Sequence, residues 1–148
     1  MPQLSFQSPF GTLSLSEDDG AIVSLDEGQG RDQEKTALLE HVVSLLQDYF
    51  EGHAIDFSDV PVKFFGTAYQ LRVWEALRTI PYGETCFYGD LAKKVGGSPQ
   101  SVGHAVGLNP IPLIVPCHRV IGRNGLTGYS AFDGVDDKAW LLELEKGL

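Results

Sequence analysis

NPIPLIVPCHRVIG, residues 109–122, carries Pro110, Pro112 and Pro116 through an apolar run that ends in Cys117 and His118. Proline fixes φ and offers no N–H, so this segment is neither a helix interior nor a central strand. It predicts a stiff extended piece with a bend, held in the core by Ile111, Leu113, Ile114 and Val115, with Cys117 at the floor of a cleft. A thiol in apolar surroundings is a poor nucleophile until a base takes its proton. His118 titrates near neutrality and is that base. Neighbouring side chains diverge, so a bridging water is expected between the two. Taken alone, the dipeptide reads more readily as a buried structural cysteine beside a histidine that caps a turn.

Upstream, the pattern is helical. Thr67 is placed to cap a helix in which Leu71, Trp74, Leu77 and Ile80 share one face until Pro81 stops it. A helix over residues 88–95 is then broken by Gly96 and Gly97, and Ser98-Pro99 restarts a second one with cap and first-position proline in order. Two short helices joined by a glycine turn read as a helix-turn-helix. The second, residues 99–108, contains Gly103 and Gly107 beside Ser101 and Ala105. Glycine inside a helix costs about 1 kcal/mol relative to alanine, which a close approach would offset. Tight packing on a neighbouring helix and a small-residue face in a DNA groove both remain open.

The first 30 residues read as β-structure, with runs over 12–15 and 21–25 separated by the acidic turn Glu17-Asp18-Asp19-Gly20. From Asp32 as N-cap, Leu38, Leu39, Val42, Val43, Leu45, Leu46, Tyr49 and Phe50 recur at helical spacing, and Gly52 is placed to end that helix. His41 and His53 lack the spacing of a metal site. Residues 53–66 form a connector with room for a short strand, and Pro61 marks a boundary. The expected fold is α+β in two subdomains. Residues 1–60 form an N-terminal α/β scaffold with a small antiparallel sheet and one long helix. Residues 61–148 form a mainly helical, winged-helix-like unit with the helix-turn-helix and the reactive segment.

Composition narrows the class. The chain has 148 residues, 43% of them hydrophobic, enough for a proper core. No apolar run reaches the roughly 18 to 20 residues of a membrane span, and MPQLSFQSPF has no signal-peptide pattern. A cytoplasmic protein is expected, or a nuclear one in a eukaryote. Cys86 and Cys117 make no disulfide framework, and Cys86 reads as a core residue. The net charge of −9 argues against phosphate binding until its distribution is read. Residues 1–60 carry −10 and residues 131–148 carry −3, while residues 61–130 carry +4. The basic part is the part that holds Cys117.

NPIPLIVPCHRVIG, with GETCFYGDLA before it and GLTGYS after it, resembles the O(6)-alkylguanine-DNA alkyltransferases, the methylated-DNA–protein-cysteine methyltransferases. The resemblance runs from GTAYQLRVWEALRTIPYGET to WLLELE, roughly the last 85 residues, and covers the first 60 loosely. It implies a single-turnover repair protein that needs no cofactor or metal and works as a monomer. The target base is flipped out of double-stranded DNA, and an alkyl group passes from O6 of guanine, with O4 of thymine as a further substrate, to Cys117. By the same resemblance His118 is a water-mediated base, Glu145 orients it, and Asn109 ties the turn before the active segment. Tyr88 turns the phosphate and donates to the departing guanine. Backbone groups at Cys117, Val120 and Ser130 read the guanine edge, and Tyr129 shapes the pocket. The helix over 99–108 enters the minor groove with Ser101 and Gly103, and Arg119 and Arg123 are expected at the DNA.

Two positions depart from the family pattern. Gln100 stands where an arginine usually fills the gap left by the flipped base, and glutamine brings no charge and less stacking surface. The segment Tyr129-Ser130-Ala131-Phe132-Asp133-Gly134 runs two residues longer than usual, which puts the range of accepted alkyl groups in question. Competing readings are a lesion-binding module without transfer, and a thiol hydrolase using Cys117, His118 and Glu145 on a small molecule.

Overall fold

Alternating side chains over the first 27 residues build a three-stranded antiparallel meander, β1 (Gln3–Ser8), β2 (Gly11–Asp18) and β3 (Ala21–Glu27). The structure, a computed structural model, describes residues 1–123 and 134–146. The β2–β3 turn is Asp19-Gly20 with φ of 50° and 82°, the left-handed pair that suits a tight hairpin. Leu13, Leu15, Ile22 and Leu25 point inward and meet Leu39, Val42, Leu46 and Tyr49 of α1 (Ala37–Phe50) in one apolar core.

That helix begins later than an N-cap at Asp32 predicts. Its N-cap is Thr36, whose Oγ1 accepts from Leu39 N at 3.1 Å, and not Asp32. The cause is distant in sequence: Gln3 N donates to the Asp32 carbonyl at 2.9 Å and Glu34 N to that of Gln3 at 2.8 Å. Backbone committed to the edge of β1 cannot also turn into a helix. The connector holds no strand beyond an isolated bridge of Val62 to Ile22. His41 and His53 are exposed.

The second half follows local chemistry closely. α2 (Ala68–Leu77) starts at a Thr67–Gln70 capping box, and α4 (Pro99–Gly107) at a Ser98–Ser101 one. α2 ends before the stop expected at Pro81: Thr79 N and Ile80 N bond to the carbonyls three residues back, Ala76 and Leu77, so the chain tightens into a turn that carries Ile80. Between them lie β4 (Cys86–Phe87) and α3 (Tyr88–Val95). Gly96 and Gly97, at φ of 92° and 87°, make the α3–α4 turn. Buried Trp74 joins α2 to α4 by donating Nε1–H to the Ala105 carbonyl at 2.9 Å. β5 (Val120–Ile121) pairs in parallel with β4, which sets the reactive segment beside the start of α3. Cys86, on β4, is half-buried and packs against the edge of the core. α5 (Val135–Glu145) closes the molecule.

The proline-rich segment joins the two halves: Ile111, Leu113, Ile114 and Val115 are buried, and Leu25 N of β3 donates to the Pro110 carbonyl at 3.0 Å. It is less extended than expected. Val115 N reaches the Ile111 carbonyl at 2.9 Å, and Leu113 takes a φ of 74°. That conformation costs a non-glycine residue about 1–2 kcal/mol, which burying a leucine side chain, worth roughly 1.5–3 kcal/mol, offsets. The chain then enters a 3-10 turn, Cys117–Arg119, so the cysteine sits on a turn and not on a strand. No described helix is long and apolar enough to cross a membrane.

Candidate active site and DNA-facing helix

The last residue of α5, Glu145, has a side chain only 1% exposed. Its Oε2 accepts from Tyr49 Oη at 2.6 Å, from His118 Nε2 at 2.5 Å and from Arg119 Nη2 at 3.1 Å. Its Oε1 accepts from Arg119 Nε at 2.8 Å and from Gly83 N at 3.2 Å. Burial alone would raise a carboxyl's pKa, but the donors from His118, Arg119 and Tyr49 outweigh it and bring Glu145 down to about 2. Glu145 is therefore an anion. His118 is fully buried, and that burial pulls its pKa below the ordinary histidine value, so the ring is neutral. With Nε2–H assigned to face the carboxylate, Nδ1 is left as the acceptor. Nδ1 is buried and has no hydrogen-bond partner among the described residues.

Cys117, 5% exposed, precedes this histidine on the same turn and donates its N–H to the Val115 carbonyl at 2.8 Å. Asn109 fixes the loop from inside: Nδ2 donates to the Val115 carbonyl at 2.8 Å, and Oδ1 accepts from Ile111 N at 3.0 Å. Lys138 of α5 is wholly buried, its Nζ 3.4 Å from Tyr88 Oη and 5.6 Å from that ring's centre. Burial lowers its pKa to about 8, against the pull of a charge on Cys117. Burial, and then the same cysteine charge, raises the Tyr88 phenol. The site thus holds a thiol, a neutral base oriented by a carboxylate, and a buried lysine–tyrosine pair. It is suited to taking a proton from sulfur and receiving charge at a small electrophile.

Arg119 does not lie where a DNA contact would need it. Its side chain is 7% exposed, with two nitrogens on Glu145 and Nη1 on the Ile80 carbonyl at 2.7 Å, because a carboxylate buried this deeply requires a partner cation. Arg123 is exposed, stacked 4.6 Å from the Phe87 ring centre and 3.5 Å from Asp90. Gln100 projects from the first turn of α4 and is exposed. Ser101 is exposed, but its Oγ accepts from Ser98 N at 2.9 Å and lies 2.9 Å from Tyr69 Oη. Gly103 is half-buried, and a Cβ there would come no nearer than 3.8 Å to the Tyr88 ring, so helix packing leaves room for one. Val120 is buried in β5. Tyr129, Ser130, Ala131, Phe132 and Asp133 lie outside the described residues.

Sequence reasoning missed Tyr49, Lys138 and the backbone N–H of Gly83. A signal existed for the lysine: positions 138, 141, 142 and 145 fall at i, i+3, i+4 and i+7, one helix face that holds two ionisable groups. Tyr49 sits in an otherwise apolar stripe, where a buried phenol usually finds a hydrogen-bond partner.

Comparison with known proteins shows the family. Residues 4–64 match the family model "6-O-methylguanine DNA methyltransferase, ribonuclease-like domain", and residues 68–147 match "6-O-methylguanine DNA methyltransferase, DNA binding domain". A methylated-DNA–protein-cysteine methyltransferase of Metallosphaera sedula is 40% identical over 149 residues, covering 97% of this chain and 92% of its own. The protein of that name from Haemophilus influenzae is 37% identical over 152 residues, covering 95% and 84%. The crystal structure of Mycobacterium tuberculosis OGT in complex with DNA superposes with a TM-score of 0.87 at 42% identity, over 99% of this chain and 94% of that one.

Proposed function

The chain belongs to the 6-O-methylguanine DNA methyltransferase family, and on that premise we propose that Cys117 takes the alkyl group from O6 of guanine, and from O4 of thymine, in duplex DNA. The activity is that of a methylated-DNA–protein-cysteine methyltransferase, repairing DNA by alkyl transfer, and DNA is the partner. The observation that carries the assignment to Cys117 is the pair beside it: neutral His118, fixed by Glu145, with Nδ1 free to accept a proton.

The lesion lies inside the base stack and must be flipped out to reach sulfur. α4 enters the minor groove, Gln100 fills the gap, and the lack of side chain at Gly103 and the short Ser101 let the helix lie close. Tyr88 turns the phosphate, while Arg123, braced on Phe87, meets the backbone. Backbone groups of Cys117, Val120 and Ser130 hold the guanine edge beside Tyr129. Arg119 serves as the counter-ion of Glu145 and makes no DNA contact.

His118 Nδ1 takes the thiol proton through a water, and Glu145 stabilises the imidazolium. The thiolate electron pair forms the S–C bond as the C–O6 bond breaks. Its electrons return to the guanine ring, which takes a proton from the Tyr88–Lys138 pair. The product thioether has no leaving group for water to displace, so each molecule reacts once. Asn109 holds the loop carbonyl beside Cys117 through both steps. The scaffold is assigned to residues 1–60 and the reaction to 61–148, in a monomer of the cytoplasm, or of the nucleus in a eukaryote. A lesion binder without transfer would have no use for this relay, and a small-molecule hydrolase none for the helix-turn-helix.

Intact-mass analysis after incubation with a duplex bearing one O(6)-methylguanine tests the reading. Wild-type protein gains one methyl, mapped to Cys117, and Cys117→Ala gains none. A damage-dependent gel shift without any gain in mass would overturn transfer and favour the binding module.

A further inference from the structure

Tyr49 lies on α1, 96 residues before Glu145, in the half of the chain assigned above to the scaffold. Its side chain is completely buried. Its ring is held at 5.6 Å from Phe50, 5.8 Å from Phe57 and 6.1 Å from Tyr82, so the hydroxyl has one direction available. A buried phenol could meet its need at any backbone carbonyl. This one donates at 2.6 Å to Oε2 of Glu145, the same oxygen that receives His118 Nε2, and lies 3.5 Å from that nitrogen.

We propose that Tyr49 is a positioning residue for alkyl transfer, its hydroxyl sharing the Glu145 oxygen that orients His118, so that the reactive centre is complete only with α1 in place. The inference rests on the reaction assigned above, which gives His118 and Glu145 their roles. A carboxylate that already accepts a strong hydrogen bond is a weaker base toward its next donor. Tyr49 thus reduces the pull of Glu145 on the His118 ring and keeps the ring neutral, with a lone pair on Nδ1. Arg119 comes from the 3-10 turn and Lys138 from α5, both cations that disfavour an imidazolium. Tyr82, whose ring lies 5.7 Å from the Arg119 guanidinium, comes from the loop after α2. Tyr49 is the contribution of α1, through which the N-terminal half takes part in the chemistry as well as the fold.

The test is single-turnover methyl transfer from an O(6)-methylguanine duplex, followed by intact mass across the neutral pH range. The full-length wild type is compared with Tyr49→Phe and with protein carrying 3-fluorotyrosine in place of Tyr49, a stronger donor of nearly the same shape. Without the hydroxyl, the acidic limb of the rate profile moves up by about one pH unit, the order expected for loss of one hydrogen bond to a charged group. With the fluorinated ring it moves down. A purely structural tyrosine would lower stability or the plateau rate and leave the limb where it is in both proteins. An unmoved limb would overturn the inference. Should Tyr49→Phe fail to fold, the fluorinated protein, which keeps every contact, decides alone. A wild type that gains no methyl would overturn the reaction and the inference together, whereas a wild type that transfers with unmoved limbs would overturn the inference alone.

Discussion

Around Glu145, Tyr49 from α1, Gly83 from a loop, and His118 and Arg119 from the 3-10 turn converge on one carboxylate 1% exposed to solvent. α4, by contrast, shows Gln100, Ser101 and His104 to solvent, and the Ser101 hydroxyl is turned back on the helix's own cap. The first region is over-determined: each group satisfies another, and removing one leaves a buried charge or dipole unmatched. The second has an outer face with few internal obligations, for Gln100 and His104 are exposed while Val102, Ala105 and Val106 anchor the helix from its inner face. Changes in the hub should therefore couple strongly, while changes on the exposed face should add.

The contrast is sharpened first at Lys138, a buried cation whose pKa is brought down to about 8 from the ordinary 10.5. Between those values the unfolded chain keeps a proton that the folded protein gives up. Stability therefore rises as pH climbs through the window, and the penalty on folding is fully present below pH 8. Lys138→Met should abolish that rise and raise stability at neutral pH by on the order of 2 kcal/mol, read by urea titration. An unchanged pH–stability curve would show that the lysine is not held buried against Tyr88. A smaller effect is expected on the exposed face. Gln100→Arg should tighten binding to a duplex by about 1 kcal/mol and steepen its salt dependence by about one phosphate, read by anisotropy titration at several salt concentrations. Its melting temperature should not move. A variant that melts lower without binding tighter would mean that Gln100 is part of the packing after all.

How much of each region was legible follows from the range of the forces involved. Thr67, Ser98, Pro99 and the Gly96-Gly97 turn act on their immediate neighbours, so α3, α4 and the start of α2 are legible in the sequence almost residue by residue, while α2 ends at Leu77, short of Pro81. Thr36 was missed as the cap of α1 because Asp32 and Glu34 answer to Gln3, about 30 residues away in the chain. Cys117 and His118 stand out in the sequence as an adjacent thiol and imidazole, Glu145 only through family likeness, and the structure brings His118 and Glu145 to 2.5 Å. The inward course of Arg119, and the presence of Tyr49 and Lys138, depend on which helix lies beside the turn. No local pattern encodes that neighbour. A basic residue next to a reactive cysteine looks the same in sequence whether it faces phosphate or a buried carboxylate.

The most direct measurement of the central claim is the rapid-quench transfer rate of Glu145→Gln beside the wild type, with duplex affinity determined on the same samples. Glutamine keeps the shape of the carboxylate and removes the charge that orients His118. Transfer should fall by roughly a hundredfold or more while affinity for the O(6)-methylguanine duplex stays at the wild-type value. A variant that transfers at the wild-type rate, or that loses affinity in step with rate, would contradict the division of labour between the buried carboxylate and the exposed helix.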